Sequence, residues 1–361
     1  MPHRPPVQLH KPVHSPAPRE TTPQLRQERN PKEKVNINIA SLNMNGATAL
    51  SESMSMTEKW AMVNRTIYNE HIAILALQEM HLDDDCLEQV RACFGRNLEI
   101  INSPLPGNPR ASAGVAFVIN KALIHPKEFS VSELDPGRAI IIRLKWLESC
   151  ATSIVNVYAP NDRGDDQPDF WKRVMSNRRT LRLPLPDFIL GDFNATEDSI
   201  DRVPAHADNH RAIKALREVH QEWNIQDTWR HTNLTHRCFT YHANANGSQV
   251  QSQLDRIYTS QAAAQHIFDW QIKPSSVPTD HWLVKVKYAP HDAPYIGNGR
   301  WTWLLYLLER DALMEKVEER GKQFLENVER LWHKNIDRAT VLGCGTLPVL
   351  KWEGIDLSHN V

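Results

Sequence analysis

Short apolar runs that end on a polar or charged residue recur along the chain. Val35–Leu42 runs into Asn43, Ile72–Leu77 into Gln78-Glu79, and Ile154–Val157 into Tyr158-Ala159-Pro160-Asn161. Phe188–Leu190 runs into Gly191-Asp192-Phe193-Asn194, and Leu254-Asp255-Arg256-Ile257 and Thr279-Asp280-His281 complete the series. Val and Ile enrichment bounded by Gly, Pro or Asn predicts strands at 35–42, 72–77, 98–101, 114–119, 139–146, 152–158, 187–191, 238–242, 253–259 and 282–288. Helical spacing of apolar residues predicts helices at 55–71 (Trp60, Val63, Ile67), 168–181 (Phe170, Trp171, Val174) and 209–222 (Ile213, Leu216, Val219). Residues 114–121, 139–146 and 152–158 read as a meander of adjacent antiparallel strands. Helices set between such strands predict an α/β sandwich with helices outside packed sheets. Buried strands that each end in an acceptor then line up a polar site along one sheet edge.

The flanks read differently. Residues 1–33 are Pro-rich and polar, bury too little apolar surface to offset ordering, and are expected to be disordered. A domain is expected over 34–290. Residues 291–335 form a charged stretch with Leu313, Val317, Phe324, Val328 and Leu331 at helical spacing. An amphipathic helix there needs a partner surface, either the domain's own flank or another protein. Residues 336–361 carry no usable pattern. The adjacent acids Asp83-Asp84-Asp85 and Asp165-Asp166 read as polar loops.

Composition narrows the classes. The 361 residues carry a formal net charge of -1 with a pI of about 7.0, which excludes a strong global basic field and leaves room for a local patch. Cys86, Cys93, Cys150, Cys238 and Cys344 are odd in number and never spaced as C-x-x-C, so they read as reduced thiols of an intracellular protein. Neither an apolar signal region nor a run of membrane-spanning length is present in the sequence, so no membrane partner is expected. The expected location is nuclear or cytoplasmic.

Acid, amide, phenol and a terminal His together equip a site for metal-assisted attack on a phosphate. Glu79, in Gln-Glu-Met-His, offers a carboxylate to a hard divalent ion, or simply caps a strand. Asn43 supplies a neutral oxygen to that ion, holds Glu79, or turns the chain before Gly46. Asp192 and Asn194, two apart on an extended chain, project to the same side, where the acid accepts a proton from water and the amide donates to a phosphate oxygen. Tyr158 is a donor to phosphate or a half-buried core residue, and Asn161 a contact or a turn former. Of the 17 histidines, His281 is the candidate, with Asp255 on another strand to fix its tautomer and favour its protonated form. The gaps among His231, His236, Cys238 and His242 match no familiar zinc finger. A G-x-S-x-G nucleophile motif is absent from the sequence.

In their order, Leu-Asn-Met-Asn-Gly, Gln-Glu-Met-His, Val-Tyr-Ala-Pro-Asn, Gly-Asp-Phe-Asn, Leu-Asp-Arg-Ile and Thr-Asp-His resemble the endonuclease/exonuclease/phosphatase superfamily, the DNase I-like fold. The resemblance covers residues 35 to about 289 and is nearest to the endonuclease domain of LINE-type (non-LTR) retrotransposons. The stretch Ile296-Gly297 through Arg300-Trp301 resembles the linker towards reverse transcriptase in fungal elements of this type. Thr279 stands where Ser is usual before Asp-His, with the hydroxyl kept. The chain ends before any polymerase, so it is expected to be an isolated or truncated endonuclease domain.

The resemblance implies a four-layer α/β (α+β) sandwich and hydrolysis of a double-stranded DNA phosphodiester with one or two Mg²⁺, with Mn²⁺ as a substitute and no small-molecule cofactor. It assigns the metal to Glu79 and Asn43, the water to Asp192, and charge stabilisation to Asn194, Tyr158 and His281, with Asp255 and Asp280 behind His281. It implies a nick with a free 3′-OH. Arg202, Asn161, Thr240 and Asn246 are the expected DNA contacts, the last at the tip of a hairpin, Ala243–Gln251, that either enters the DNA groove and influences target choice or is a plain solvent hairpin. The rival readings are an abasic-site endonuclease or small-molecule phosphatase of the same fold, and an inactive relic that binds DNA or a partner.

Overall fold

Parallel pairing decides where the polar ends of the strands go. In the computed structural model, which describes residues 34–46, 55–110, 112–124, 129–147, 150–161, 165–245, 248–296, 319–323 and 326, the first sheet runs β14 (Ile267–Lys273), β15 (Leu283–Tyr288), β1 (Ile37–Asn43), β2 (Ile72–Gln78), β4 (Val115–Asn120), β3 (Leu98–Ser103). The second runs β10 (Ile225–Gln226), β13 (Asp255–Ser260), β8 (Phe188–Asp192), β7 (Cys150–Tyr158), β6 (Ala139–Leu147), β5 (Phe129–Asp135). A small third sheet joins β11 (Tyr241–Ala245), β12 (Ser248–Ser252) and β9 (Arg202–Val203). Within each large sheet one pair is parallel, β1 with β2 and β7 with β8. Those pairs require crossovers, supplied by α1 (Met56–Asn69) and α3 (Asp166–Thr180).

The helices start where local chemistry permits. Ser55 caps α1 in a reciprocal capping box with Glu58. Asp83 caps α2 (Asp84–Phe94) by accepting from the Cys86 amide, and Asn209 caps α4 (His210–Trp223). Two short helices, α5 (Thr228–Thr232) and α6 (Gln261–Ala264), flank β13.

Three apolar clusters make four layers. Trp60, Val63 and Ile67 of α1 and Leu87 and Val90 of α2 pack on the outer face of the first sheet, against Leu42, Leu75 and Val118. Between the sheets, Ile39, Ile74, Phe117 and Val286 meet Ile142, Ile154, Phe188 and Leu190. Phe170, Trp171 and Val174 of α3 and Leu216 and Val219 of α4 cover the second sheet over Ile141, Val155 and Ile189. The expected α/β sandwich is the observed fold.

Several expectations fail in detail. Only half of the expected meander forms: β6 and β7 pair as adjacent antiparallel strands, but β4 lies in the first sheet between β2 and β3, and the other neighbour of β6 is β5. Strand β5 is an edge strand with mostly exposed or half-buried side chains, so it leaves no apolar run to read. Edge strand β14 escaped for the same reason. The triple acid 83–85 is not a loop but the start of α2, where carboxylates favour the positive helix end; Asp166 likewise opens α3. The 238–242 strand begins only at Tyr241. Residues 1–33, Asn246 and most of the 301–335 segment lie outside the described residues; within that segment, 319–323 are helical. Among the described residues no helix is long and apolar enough to cross a membrane.

Candidate active site

Strand direction gathers the polar ends at one edge shared by both large sheets. The parallel strands β1, β2, β7 and β8 bring their C-terminal ends, carrying Asn43, Glu79, Tyr158 and Asp192. The antiparallel neighbours contribute their beginnings: Asp255 pairs in register with Asp192, and His281 precedes β15 beside β1. Gly191 makes the close approach possible. Its φ is +142°, and an added Cβ would stand 1.9 Å from the Val157 carbonyl oxygen of the neighbouring strand.

Asn43 is the hub. Its Nδ2 donates to Asp192 Oδ2 at 2.8 Å and to Glu79 Oε1 at 3.0 Å, while its Oδ1 accepts from the Asn45 amide at 2.8 Å. That last bond fixes the amide orientation, because only the oxygen can accept. Of the roles open to Asn43, the arrangement is the one in which it holds Glu79, with nitrogen rather than oxygen towards the acids. Glu79 itself has φ +50° and Asn194 φ +48°, left-handed backbone at two site residues.

Asp192 is buried, and burial followed by the facing Asp255 raises its carboxyl to about 7, against the opposing pull of His281, the Asn194 amide and Asn43. His281 Nδ1 donates to Asp255 Oδ2 at 2.7 Å. Burial works against the charge of His281, but Asp255, Asp192 and Asp280 outweigh it and lift the imidazolium to about 10. His281 is therefore cationic at neutral pH, with Nε2 4.0 Å from Asp280 Oδ1. Asp280 accepts from Asn45 Nδ2 at 2.9 Å. The Thr279 hydroxyl donates to the Asn43 carbonyl at 2.8 Å and accepts from the His281 amide at 3.2 Å, so the hydroxyl expected at this position ties both segments together. Tyr158 is buried, and burial followed by the Glu79 and Asp192 charges holds its phenol protonated, well above its ordinary range.

Asn194 departs from the extended geometry expected of it. The chain turns after Asp192: the Asn194 amide donates to Asp192 Oδ1 at 2.9 Å, and its Nδ2 donates to the Ala159 carbonyl at 2.8 Å. Of the expected DNA contacts, Asn161 is exposed at the end of β7. Arg202 sits at the base of the hairpin opposite Ser252 and is ion-paired with Asp208 at 2.7 Å. Thr240 is fully buried; its hydroxyl accepts from the Leu254 and Asp255 amides at 3.0 and 2.9 Å, so it supports Asp255 instead of reaching a ligand. The hairpin's first strand is stitched to the His281 segment by the His242 amide to the Asp280 carbonyl and the Trp282 amide to the Thr240 carbonyl.

Other contributors had no legible signal. Gln167, buried at the start of α3, donates to the Pro160, Phe193 and Asn194 carbonyls at 2.8, 3.2 and 3.1 Å, stapling the two loops that carry Tyr158 and Asp192. The Arg138 guanidinium lies 5.2 Å from the Tyr158 ring centre. The Tyr241 ring lies 5.1 Å from that of His281. Lys59 is fully buried beneath the loop after β1, and burial lowers its ammonium to about 8 against the attraction of Asp280 and Glu79.

The donor set suits a hard cation. Ligand atoms of Asp192, Asp255 and His281 lie within 4.8 Å of one another, and Asp255 Oδ1 is buried without a hydrogen-bond partner. A protonated His281 is no metal ligand. Carboxylate oxygens are the donors that hard divalent cations prefer, and this acidic cluster can hold one.

The sequence profile described as the endonuclease/exonuclease/phosphatase family matches residues 40–281. The chain belongs to that family. A curated relative, the Transposon TX1 uncharacterized 149 kDa protein of Xenopus laevis, is 33% identical over 151 residues, 41% of this chain. The chain spans only 11% of that relative's length. The endonuclease domain of TRAS1, a telomere-specific non-LTR retrotransposon, superposes with a TM-score of 0.50 at 14% identity, covering 71% of this chain and all of the other. The AP endonuclease LMAP from Leishmania major gives 0.57 at 18% identity over 70% of this chain and 88% of its own. The 3′ phosphatase NExo from Neisseria, bound to product DNA hairpin, gives 0.55 at 17% over 70% and 99%. Within this family the chain has the DNase I-like fold and is similar to LINE-type retrotransposon endonucleases.

Proposed function

We propose that this family member is an Mg²⁺-dependent DNA endonuclease that nicks double-stranded DNA and leaves a 3′-OH, as in the retrotransposon endonucleases whose nick starts target-primed reverse transcription. The observation that carries the reading is the continuous contact from Glu79 through Asn43 to Asp192, opposite a His281 held cationic by Asp255. Glu79, buttressed by Asn43, would hold the cation together with the acidic cluster, with Mn²⁺ as a substitute. When bound, the cation supplies charge neutralisation at the phosphate.

The chain's own groups divide the remaining work. Asp192, ionised above about pH 7, takes the proton of the attacking water. His281 presents Nε2–H, and Tyr158 its phenol, to phosphate oxygens whose charge grows in the transition state. Asn194 Nδ2 keeps one hydrogen for the same purpose after serving Ala159. Arg202, Asn161 and the β11–β12 hairpin, including Asn246, are proposed to lie along the duplex.

Incubation with supercoiled plasmid in Mg²⁺, against EDTA and with end-labelling of the nick, tests the proposal. Parallel arms with abasic duplex and inositol phosphates test the related activities. Metal-independent nicking, 3′-phosphate ends, or turnover confined to the abasic or inositol arm would each overturn it.

A further inference from the structure

Lys59 is a fully buried cation beside the site that the reaction as described does not use. It lies in the first turn of α1, and its Nζ donates to the Met44 carbonyl at 2.6 Å and to the Gly46 carbonyl. The backbone it grips is unusual. Asn45 and Gly46 are consecutive left-handed residues, with φ of +46° and +83°, a geometry that costs energy at Asn45 unless something external holds it.

The other ties of this loop run to β2. The Met44 amide donates to the Gln78 carbonyl and the Gly46 amide to the Glu79 carbonyl, each at 2.9 Å. From this loop Asn43 reaches Glu79 and Asp192, and Asn45 reaches Asp280. A neutral side chain would anchor a helix to a loop without the desolvation cost of an ammonium. The cost is offset here by two full carbonyl acceptors and by the facing charges of Asp280 and Glu79.

We infer that Lys59 is a positioning residue: its ammonium gathers the Met44 and Gly46 carbonyls and so aims the Asn43 and Asn45 amides at Glu79, Asp192 and Asp280. The kinetic part of this inference rests on the proposed nuclease activity; the structural part does not.

The test uses the full chain carrying Lys59→Met, with Lys59→Arg as the charge-retaining control. In Lys59→Met the amides of residues 44–46 should exchange with solvent at least about tenfold faster, while those of 37–42 stay protected. Misplacement of Asn43 should lower kcat for plasmid nicking by about 10²-fold with KM nearly unchanged. The melting temperature should fall only modestly, because the two carbonyl bonds are lost while the burial cost of the ammonium is relieved. Lys59→Arg should lose less activity than Lys59→Met. Wild-type exchange at 44–46, or an unchanged kcat, would overturn the inference, as would a KM effect alone. If Lys59→Met does not fold, Lys59→Gln carries the same measurements, and wild-type values there would be equally fatal. Should the wild-type chain fail to nick DNA, the nuclease reading falls, and the exchange arm alone decides the role of Lys59.

Discussion

Replacing Asp255 by Asn removes a charge from the pair that governs His281 while leaving its shape. Asp255 Oδ2 accepts from His281 Nδ1 at 2.7 Å with both groups buried, and Asp255 is the largest of the attractions that lift His281 from 6.5 to about 10. That gap amounts to roughly 5 kcal/mol of net preference for the imidazolium, reached against the cost of burial, with Asp255 ahead of Asp192 and Asp280 among the attractions. In Asp255→Asn, His281 should return to titrating at about 6.5 to 8. Asp192 moves too, because Asp255 opposite it is among the causes that raise its carboxyl to about 7.

The signs give a specific pattern. In the native protein the base Asp192 must be ionised and the acid His281 protonated, so nicking should rise through about pH 7 and fall through about pH 10. In the variant both limbs shift to lower pH. At pH 8.5 an imidazole titrating in that range keeps only about 1 to 25% of its charge, so kcat should drop by roughly 4- to 100-fold, with the deficit shrinking towards pH 6. Initial nicking rates on supercoiled plasmid from pH 5.5 to 10.5, with NMR titration of the His281 ring, measure both quantities. Thermal stability at neutral pH should fall, because the buried His281–Asp255 pair is broken, with a partial offset from removing the acid that faces Asp192. A variant that nicks within about threefold of wild type at pH 8.5, or whose His281 still titrates near 10, would refute the reasoning.

Asp192→Ala and His281→Ala should each cost at least about 10²–10³ in plasmid nicking with unchanged circular dichroism, and near-normal nicking by either would overturn the assigned roles. Gly191→Ala places a Cβ 1.9 Å from the Val157 carbonyl at a positive φ, so it should destabilise the fold by at least about 3 kcal/mol in denaturant titration. Exchanging Ala243–Gln251 for an unrelated hairpin should redistribute nick positions on end-labelled DNA without lowering total nicking. Higher Mg²⁺ should move the acidic limb of the pH profile downwards, because a cation beside Asp192 favours its carboxylate.

The parts of this protein readable from its sequence are those whose burial is two-sided. Strands β1, β2 and β8 are buried at every position and appear as apolar runs. The edge strands β5 and β14 pack on one face only and alternate weakly, so periodicity passed over them. Asp192 and His281 are legible because each adjoins an apolar strand within a recurring series of such strand ends, whereas either alone has an ordinary structural explanation. Lys59 and Gln167 did not, since a Lys and a Gln near a helix start are ordinary, and only coordinates reveal that both point inward at backbone carbonyls. Thr240 shows the opposite failure. The resemblance placed it among the DNA contacts, yet its hydroxyl is spent on two backbone amides.

One consequence follows from the division of the site between the two large sheets. Asn43, Glu79 and His281 ride on one slab, and Tyr158, Asp192 and Asp255 on the other. The slabs are joined beneath the site by Gln78 Nε2 donating to Asn156 Oδ1 at 2.7 Å and by Asn156 Nδ2 donating to the Leu77 and Ala116 carbonyls. Any slippage of one slab over the other therefore changes the jaw opening at the Asn43–Asp192 contact directly. Turnover should track the dimensions of the interlayer filling, so that removing one carbon at Ile142, as in Ile142→Val, should slow the chemistry while leaving every polar group in place.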